Sequence, residues 1–199
     1  LGKTLDKEYS FHFPATIPGT YATLDYGRFI YDFKAYDDSG YALKVKKKRN
    51  TYTIIGLPAE VEYWAEDTFD SKVRKNKVFE PAGTNNQEHR NFLLNAAGYF
   101  GFFEGQESLP ITLEVQKSPS LYGISAMESY RYGNSQIFNA RNYHHFLDCP
   151  IMVSKPDTTS FRLGEAKVTI SVFTENGRAL SGDIYDAVNA MMVVMENGG

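Results

Sequence analysis

Short runs in which apolar and polar residues alternate, cut every few positions by proline, glycine or aspartate, recur through most of this 199-residue chain. Alternation with period two sends successive side chains to opposite faces of a strand, so it demands a sheet with one face buried. Tyr9, Phe11 and Phe13 alternate with Ser10 and His12, and Phe29, Tyr31 and Phe33 alternate with Ile30 and Asp32. Between the two runs, Pro18 supplies the φ of the second position of a type II turn and Gly19 can take the positive φ of the third. The stretch FPATIPGTYATLDYGRFIYDF (13–33) is therefore predicted to reverse the chain between two strands whose ends belong in a sheet. Further strands are predicted at 41–46, 51–55, 60–66, 92–95, 111–117, 121–127 and 166–174. Turn signals separate them at Asp38-Ser39-Gly40, Gly56-Leu57-Pro58 and Glu107-Ser108-Leu109-Pro110.

Short strands at short spacing, with no internal repeat, predict a mainly β chain, an antiparallel β-sandwich rather than βαβ units. The 14 Tyr, 14 Phe and 1 Trp fit that class, because aromatic rings suit half-buried pleated surfaces. Residues 68–91 are polar and unpatterned and are predicted to leave the sheets as a long excursion. Residues 142–148 allow a short helical turn. A longer helix is predicted over 183–196: Ser181 as N-cap, Asp183 and Asp186 near the positive end of the dipole, and Ile184, Val188, Met191 and Met195 on one face. Asn197-Gly198-Gly199 would stop it. Its Met-rich face could pack on this or the next domain, or dock a partner.

A net charge of -3 and a pI near 5.8 give no electrostatic footprint for nucleic acid or anionic lipid. The basic run Lys44 to Arg49 reads as the exposed side of a strand and its turn. No apolar run approaches the roughly 20 residues of a membrane span. No leader pattern opens the chain, whose first residue is Leu1 rather than Met, so processing or trimming ahead of it stays open. A single cysteine, Cys149, excludes an internal disulfide.

The sequence shows no catalytic apparatus. A gluzincin-type zinc hydrolase needs H-E-x-x-H on a helix, where two imidazoles one turn apart hold the metal, and the motif does not occur. The histidines are His12, His89, His144 and His145. The adjacent pair projects about 100° apart on a helix, or to opposite faces of a strand, and cannot readily chelate one ion. Cys149 reads as a small buried hydrophobe rather than a nucleophile. Neither a nucleophile elbow, a Walker loop nor a dinucleotide fingerprint occurs, and the glycines of AAGYFGFFEG (96–105) lack phosphate-loop spacing.

FPATIPGTYATLDYGRFIYDFKAYDDSG (13–40) resembles the N-terminal domain of the glycyl aminopeptidase family, metallopeptidase family sixty-one, in its P-G-x-Y turn, aromatic strand and D-x-x-G. NFLLNAAGYFGFFEG (91–105) and NYHHFLDCPIMVSKPDTTSF (142–161) resemble two later landmarks of that family, and DIYDAVNAMMVVMENGG resembles the helix leading into its peptidase domain. The resemblance implies a β-sandwich domain over 1–180 and a helix over 181–199 leading toward a catalytic domain that lies outside this chain. It also implies a zinc aminopeptidase that is periplasmic or secreted, with the zinc in that catalytic domain. The chain's expected partners are then the downstream peptidase domain and, in the parent enzyme, a peptide substrate; alone it should be inactive and hold no metal. Residues 13–33 would be an architectural hairpin at the edge of the substrate cleft.

Two functional classes remain. One is the accessory domain of an aminopeptidase, shaping the cleft and packing on the catalytic domain, with Asn95 and Tyr99 as the substrate-facing residues. These flank Gly98, and with Gly101 they mark a segment able to wall a shared cleft or to serve as an aromatic core strand. The other class is an independent sandwich module whose exposed aromatics stack on carbohydrate or an apolar ligand.

Overall fold

The computed structural model describes residues 7–197 except 21, 74 and 179, and of 195–197 the backbone only. Strands β1 (Glu8–His12), β2 (Ile30–Tyr36), β3 (Lys44–Lys48), β4 (Thr51–Ile55) and β5 (Glu60–Ala65) make up the first part. After a long loop come β6 (Asn85–Gln87), β7 (Asn91–Leu94), helix α1 (Ala96–Tyr99), β8 (Phe102–Phe103), β9 (Ile111–Gln116) and β10 (Tyr122–Ile124). β11 (Glu128–Tyr132), β12 (Ser135–Ala140), α2 (Tyr143–Leu147) and β13 (Ile151–Ser154) follow, then β14 (Asp157–Leu163), β15 (Ala166–Val172) and α3 (Ser181–Asn197). All named pairings are antiparallel.

Two sandwiches share one seam. The sheet β3-β4-β1-β8 faces β2-β5 across a core of Phe11, Phe13, Ile30, Ala35, Tyr52 and Ile54. The sheet β10-β13-β7-β6 faces β11-β12-β9 across Phe138, Ala140, Ile151 and Val153, closed at one end by Tyr143 and Phe146 of α2. β8 serves both: Phe102 packs against the second core and Phe103 against the first, as alternation on a strand requires. Two phenols fix the approach to it. The Tyr63 hydroxyl donates to the Tyr99 carbonyl at 2.9 Å, and the Tyr143 hydroxyl donates to the Phe100 carbonyl at 2.7 Å. Gly101 is required here, since a Cβ would lie 2.3 Å from Phe11 Cε1 and 2.5 Å from the His12 carbonyl oxygen.

The turn at Pro18-Gly19 forms as expected: Gly19 has φ 82°, and the Thr20 N–H closes on the Ile17 carbonyl at 3.2 Å. It does not make a hairpin, however, because β1 and β2 belong to different sheets. The loop folds back on itself instead, with the Leu24 and Asp25 N–H groups on the Ala15 carbonyl, and it is anchored by Leu24, Tyr26 and Phe29 in a third cluster with Ala82 and Ala97. Phe29 ends a 3-10 turn (Tyr26–Phe29) rather than starting the strand. The expected Phe29-Tyr31-Phe33 face also breaks. Asp32 sits at φ 49° in a one-residue bulge, so Ile30 and Ala35 are buried while Tyr31 is exposed.

The basic run lies along β3 and its turn, with Lys47 Nζ donating to the Gly27 and Ile30 carbonyls. Asp37 and Gly40 form the turn between β2 and β3: the Asp37 carboxylate accepts from the Ser39 and Tyr41 N–H groups and Gly40 takes φ 79°. Residues 68–91 are an excursion only as far as Thr84, after which β6 rejoins a sheet. Strands β6, β11, β12, β13 and β14 come from segments with no expected strand, and where Gly98 and Gly101 allowed an aromatic core strand the chain forms α1 through Tyr99, with β8 following at Phe102–Phe103. β12 is buried almost throughout although it carries Ser135, Gln136 and Asn139.

Two expectations about α3 are corrected. Ser181 does not cap the helix. It is the first helical residue and is fully buried, with its N–H and hydroxyl both donating to Asp157 Oδ2 at 2.6 Å and its oxygen 2.7 Å from Thr159 Oγ1. Asp183 takes over at the terminus, accepting from the Leu180 N–H at 2.8 Å. The packed face holds Tyr185, Val188, Asn189 and Met192, whereas Ile184 and Met191 face solvent. The Met195 side chain and Gly198-Gly199 lie outside the described residues.

Candidate functional site

A groove of about 1000 Å³ opens where the two sandwiches meet. The end of β1 gives it His12 and Phe13, and the proline-glycine loop gives it Pro14, Thr16 and Pro18. The β3-β4 turn adds Lys48 and Arg49, the segment after β8 adds Glu104 and Glu107, and α2 adds Tyr143 and His144. One wall of this groove is the opening stretch of the sequence. His12 is held in place on three sides: Nδ1 is 3.0 Å from Thr51 Oγ1, Nε2 is 3.9 Å from Glu104 Oε2, and the ring lies 5.6 Å from that of Phe102. Glutamates and the Lys48-Arg49 pair line one cleft, so it can engage a ligand that carries both signs of charge.

A second groove, of about 590 Å³, lies on the β2-β5 side and is lined by Asp32, Lys34, Glu62, Tyr63, Trp64 and Tyr99 among others. Tyr99 lines it but points its hydroxyl inward, donating to Asn86 Oδ1 at 2.6 Å; burial pushes the phenol pKa up to about 12. Asn95 is buried at the start of α1, where its carbonyl accepts from the Gly98 N–H at 3.0 Å, and it does not line this groove. The structure thus separates Asn95 from the groove that Tyr99 borders. Gly98 packs on Thr84, whose Cγ2 would lie 2.5 Å from an added Cβ.

The peptidase M61 N-terminal domain family matches residues 2–155. This chain belongs to that family. A crystal structure of an aminopeptidase N family protein from Idiomarina loihiensis is similar to the M61 N-terminal domain with a TM-score of 0.70 at 19% identity, over 84% of this chain and 28% of that one. At that identity the likeness shows the fold, and the chain spans little more than a quarter of that protein's length. No curated protein matches the sequence significantly.

Zinc, which the family resemblance implies for a catalytic domain, does not fit the residues of this M61 N-terminal domain. Among the described residues no three His, Cys, Asp or Glu side chains converge as a metal site. His144 lines the large groove, while His145 turns its Nδ1 to the Arg141 N–H at 3.2 Å. Cys149 is buried in the second core, where burial raises its thiol pKa and keeps it protonated. No helix among the described residues is long and apolar enough to cross a membrane. Sequence reasoning gave His12, Glu104 and Glu107 no part in a site, because the groove is assembled from four separated segments and none of them carries a catalytic motif.

Proposed function

We propose that this domain is the noncatalytic N-terminal domain of a zinc aminopeptidase of the glycyl aminopeptidase type, which packs on the catalytic domain and shapes the cleft that admits a peptide. The family match over residues 2–155 carries the reading. The seam groove suits such a role, since a peptide terminus presents charge beside apolar side chains and the groove offers Glu104, Glu107, Lys48 and Arg49 beside Phe13 and Phe102. Zinc would be held by residues of the catalytic domain, and a periplasmic or secreted location goes with the same proposal. The test compares this chain with a polypeptide that also carries the peptidase domain. The chain alone is expected to release no amino acid from aminoacyl substrates and to retain no stoichiometric zinc after chelation and reloading. The longer polypeptide is expected to do both. Tight zinc or cleavage by the short chain would overturn the assignment.

One observation favours a second reading. Tyr31 and Trp64 are cross-strand register partners on β2 and β5, and both are exposed, at 48% and 75%. Such a pair is a platform on which a sugar ring can stack. Titration with soluble oligosaccharides, followed by Trp64 fluorescence, tests this module function. An unchanged spectrum would remove it.

A further inference from the structure

Strand β5 has one side left open. Among the described residues it pairs with β2 alone. The Glu66 N–H donates to the Phe29 carbonyl at 2.9 Å, and Tyr31 and Trp64 are register partners. Backbone groups alternate sides along a strand, so Glu62 and Trp64 turn theirs toward β2 while Val61, Tyr63 and Ala65 turn theirs away from it. The groove of about 590 Å³ runs along this outer edge: the five consecutive residues Val61 to Ala65 line it, with Tyr99 and Phe100 on the far wall. The Tyr63 phenol spans the two walls through its bond to the Tyr99 carbonyl. On the far wall the backbone is already paired, since the Phe100 N–H donates to the Ala96 carbonyl at 2.8 Å and the Phe100 carbonyl accepts from Tyr143. The unused ladder in this groove is that of β5.

A sheet edge normally carries a device that keeps other strands out. β3 has Lys44, Lys46, Lys47 and Lys48, and β6 and β8 are only three and two residues long. β5 is six residues long and contains no proline and no lysine, and the bulge at Asp32 belongs to β2. Charge sets what can complete it. Glu60, Glu62 and Trp64 are the exposed face of β5, and Glu66 continues that face, accepting from the exposed Tyr31 hydroxyl at 2.8 Å. Asp32 joins Glu62 in the groove, against Lys34. A strand laid on this edge would hold alternate side chains beside Glu60, Glu62, Trp64 and Glu66, where lysine or arginine meets carboxylates and an indole face. A second copy does not fit. Two-fold pairing of β5 with itself, centred on any residue from Val61 to Trp64, sets one of Glu60, Glu62 and Glu66 opposite another.

We propose that the open edge of β5 receives a short basic peptide as an added strand, extended and with lysine or arginine at alternate positions. Every group involved lies in this chain, so the site goes beyond both readings above and needs no peptidase domain.

Trp64 is the single tryptophan of the chain and lines the groove, so its fluorescence reports occupancy. The probe is an acetylated, amidated octapeptide in which lysine and valine alternate. It should change the Trp64 signal saturably, and the matching glutamate-valine octapeptide should not. Glu62→Lys, an exposed change, should leave the circular dichroism as it is and weaken the lysine peptide by about fivefold, the loss of one cross-strand charge pair. N-methylation then tests for a ladder. Methyl groups on the valine nitrogens remove the N–H groups that an antiparallel added strand turns toward β5, and methyl groups on the lysine nitrogens remove those of a parallel one. One of the two methylated peptides should bind about tenfold more weakly than the other, through two or three lost hydrogen bonds. Equal binding by both overturns the added strand, because attraction between charges does not distinguish them. A flat titration up to about 1 mM peptide also overturns it. So does a Trp64 signal that answers soluble oligosaccharides and not the peptide, since the groove is then a sugar site.

Discussion

Gln136→Leu should be among the most damaging single changes available in this domain. Gln136 is 5% exposed on β12, and its amide stands in for a missing strand. β10 is an edge strand with β13 on one side, so the backbone groups of Gly123 that point the other way have no ladder partner. Gln136 supplies both halves of one: Oε1 accepts from the Gly123 N–H at 2.8 Å, and Nε2 donates to the Gly123 carbonyl at 2.8 Å and to Ser129 Oγ at 3.2 Å. Gly123 cannot move away, because Phe138 already lies where its Cβ would be, 2.6 Å from Cζ. Leucine conserves most of the volume and removes both partners. Each buried backbone group left unpaired costs about 1–3 kcal/mol, for a total of roughly 2–6 kcal/mol. At about 2–4 °C per kcal/mol for a chain of this size, the melting temperature should fall on the order of 10 °C. Thermal unfolding followed by far-UV circular dichroism reads this directly, with Ser129→Ala as the comparison that removes only the weakest of the three bonds. If Gln136→Leu melts with the wild type, the amide is not completing β10, and the backbone of Gly123 is satisfied by water.

Other outcomes are expected elsewhere. Gly19→Ala should destabilise the domain by about 1 kcal/mol through its φ of 82° alone, since nothing lies within 4 Å of the added Cβ, and Pro18→Ala should cost less; equal melting temperatures for Gly19→Ala and wild type would remove the type II turn. The two hydrogen bonds from Ser181 hold the Asp157 carboxyl below the usual carboxylate range. A depressed pKa in the folded state means the contact stabilises above the ordinary value near ~3.9 and is lost as pH falls through the lower folded value. An NMR titration of Asp157 with its midpoint at or above the ordinary value would refute this. Tyr99→Phe loses the hydroxyl that donates to Asn86 and should cost about 1 kcal/mol. Measured with Asn95→Ala in a polypeptide that includes the peptidase domain, a fall in kcat/KM at unchanged stability would assign these residues to the cleft, and lost stability with intact kinetics would leave them as scaffold.

Local patterns were legible where contacts are local. Phe11 and Phe13 are buried as their alternation requires, Gly19 and Gly40 take the positive φ their turns need, and the short helical turn allowed over 142–148 forms as α2. What escaped was decided by distant residues. β12 reads as polar because nothing near Gln136 in sequence reveals Gly123 as its partner. Tyr31 leaves the core because Asp32 opens a bulge that shifts the pairing with β5 by one residue. Ser181 has the composition of a cap but is claimed by Asp157, 24 positions away. In α3, one run of apolar residues contains two overlapping stripes, and only the position of the hairpin determines which is covered. The large groove is the extreme case, since its polar groups come together only when the sandwiches do.

The strand of two phenylalanines between those sandwiches sets how the molecule comes apart. Phe102 belongs to one core and Phe103 to the other, and the phenols of Tyr63 and Tyr143 grip the carbonyls of Tyr99 and Phe100 shortly before them. Neither half can melt without stripping an aromatic ring and a hydrogen-bond donor from the spine of the other, so the two are expected to share one cooperative transition and the amides of this spine one opening free energy. A ligand in the seam groove, which touches His12 on one side of that spine and Tyr143 on the other, would therefore slow the opening of both halves together.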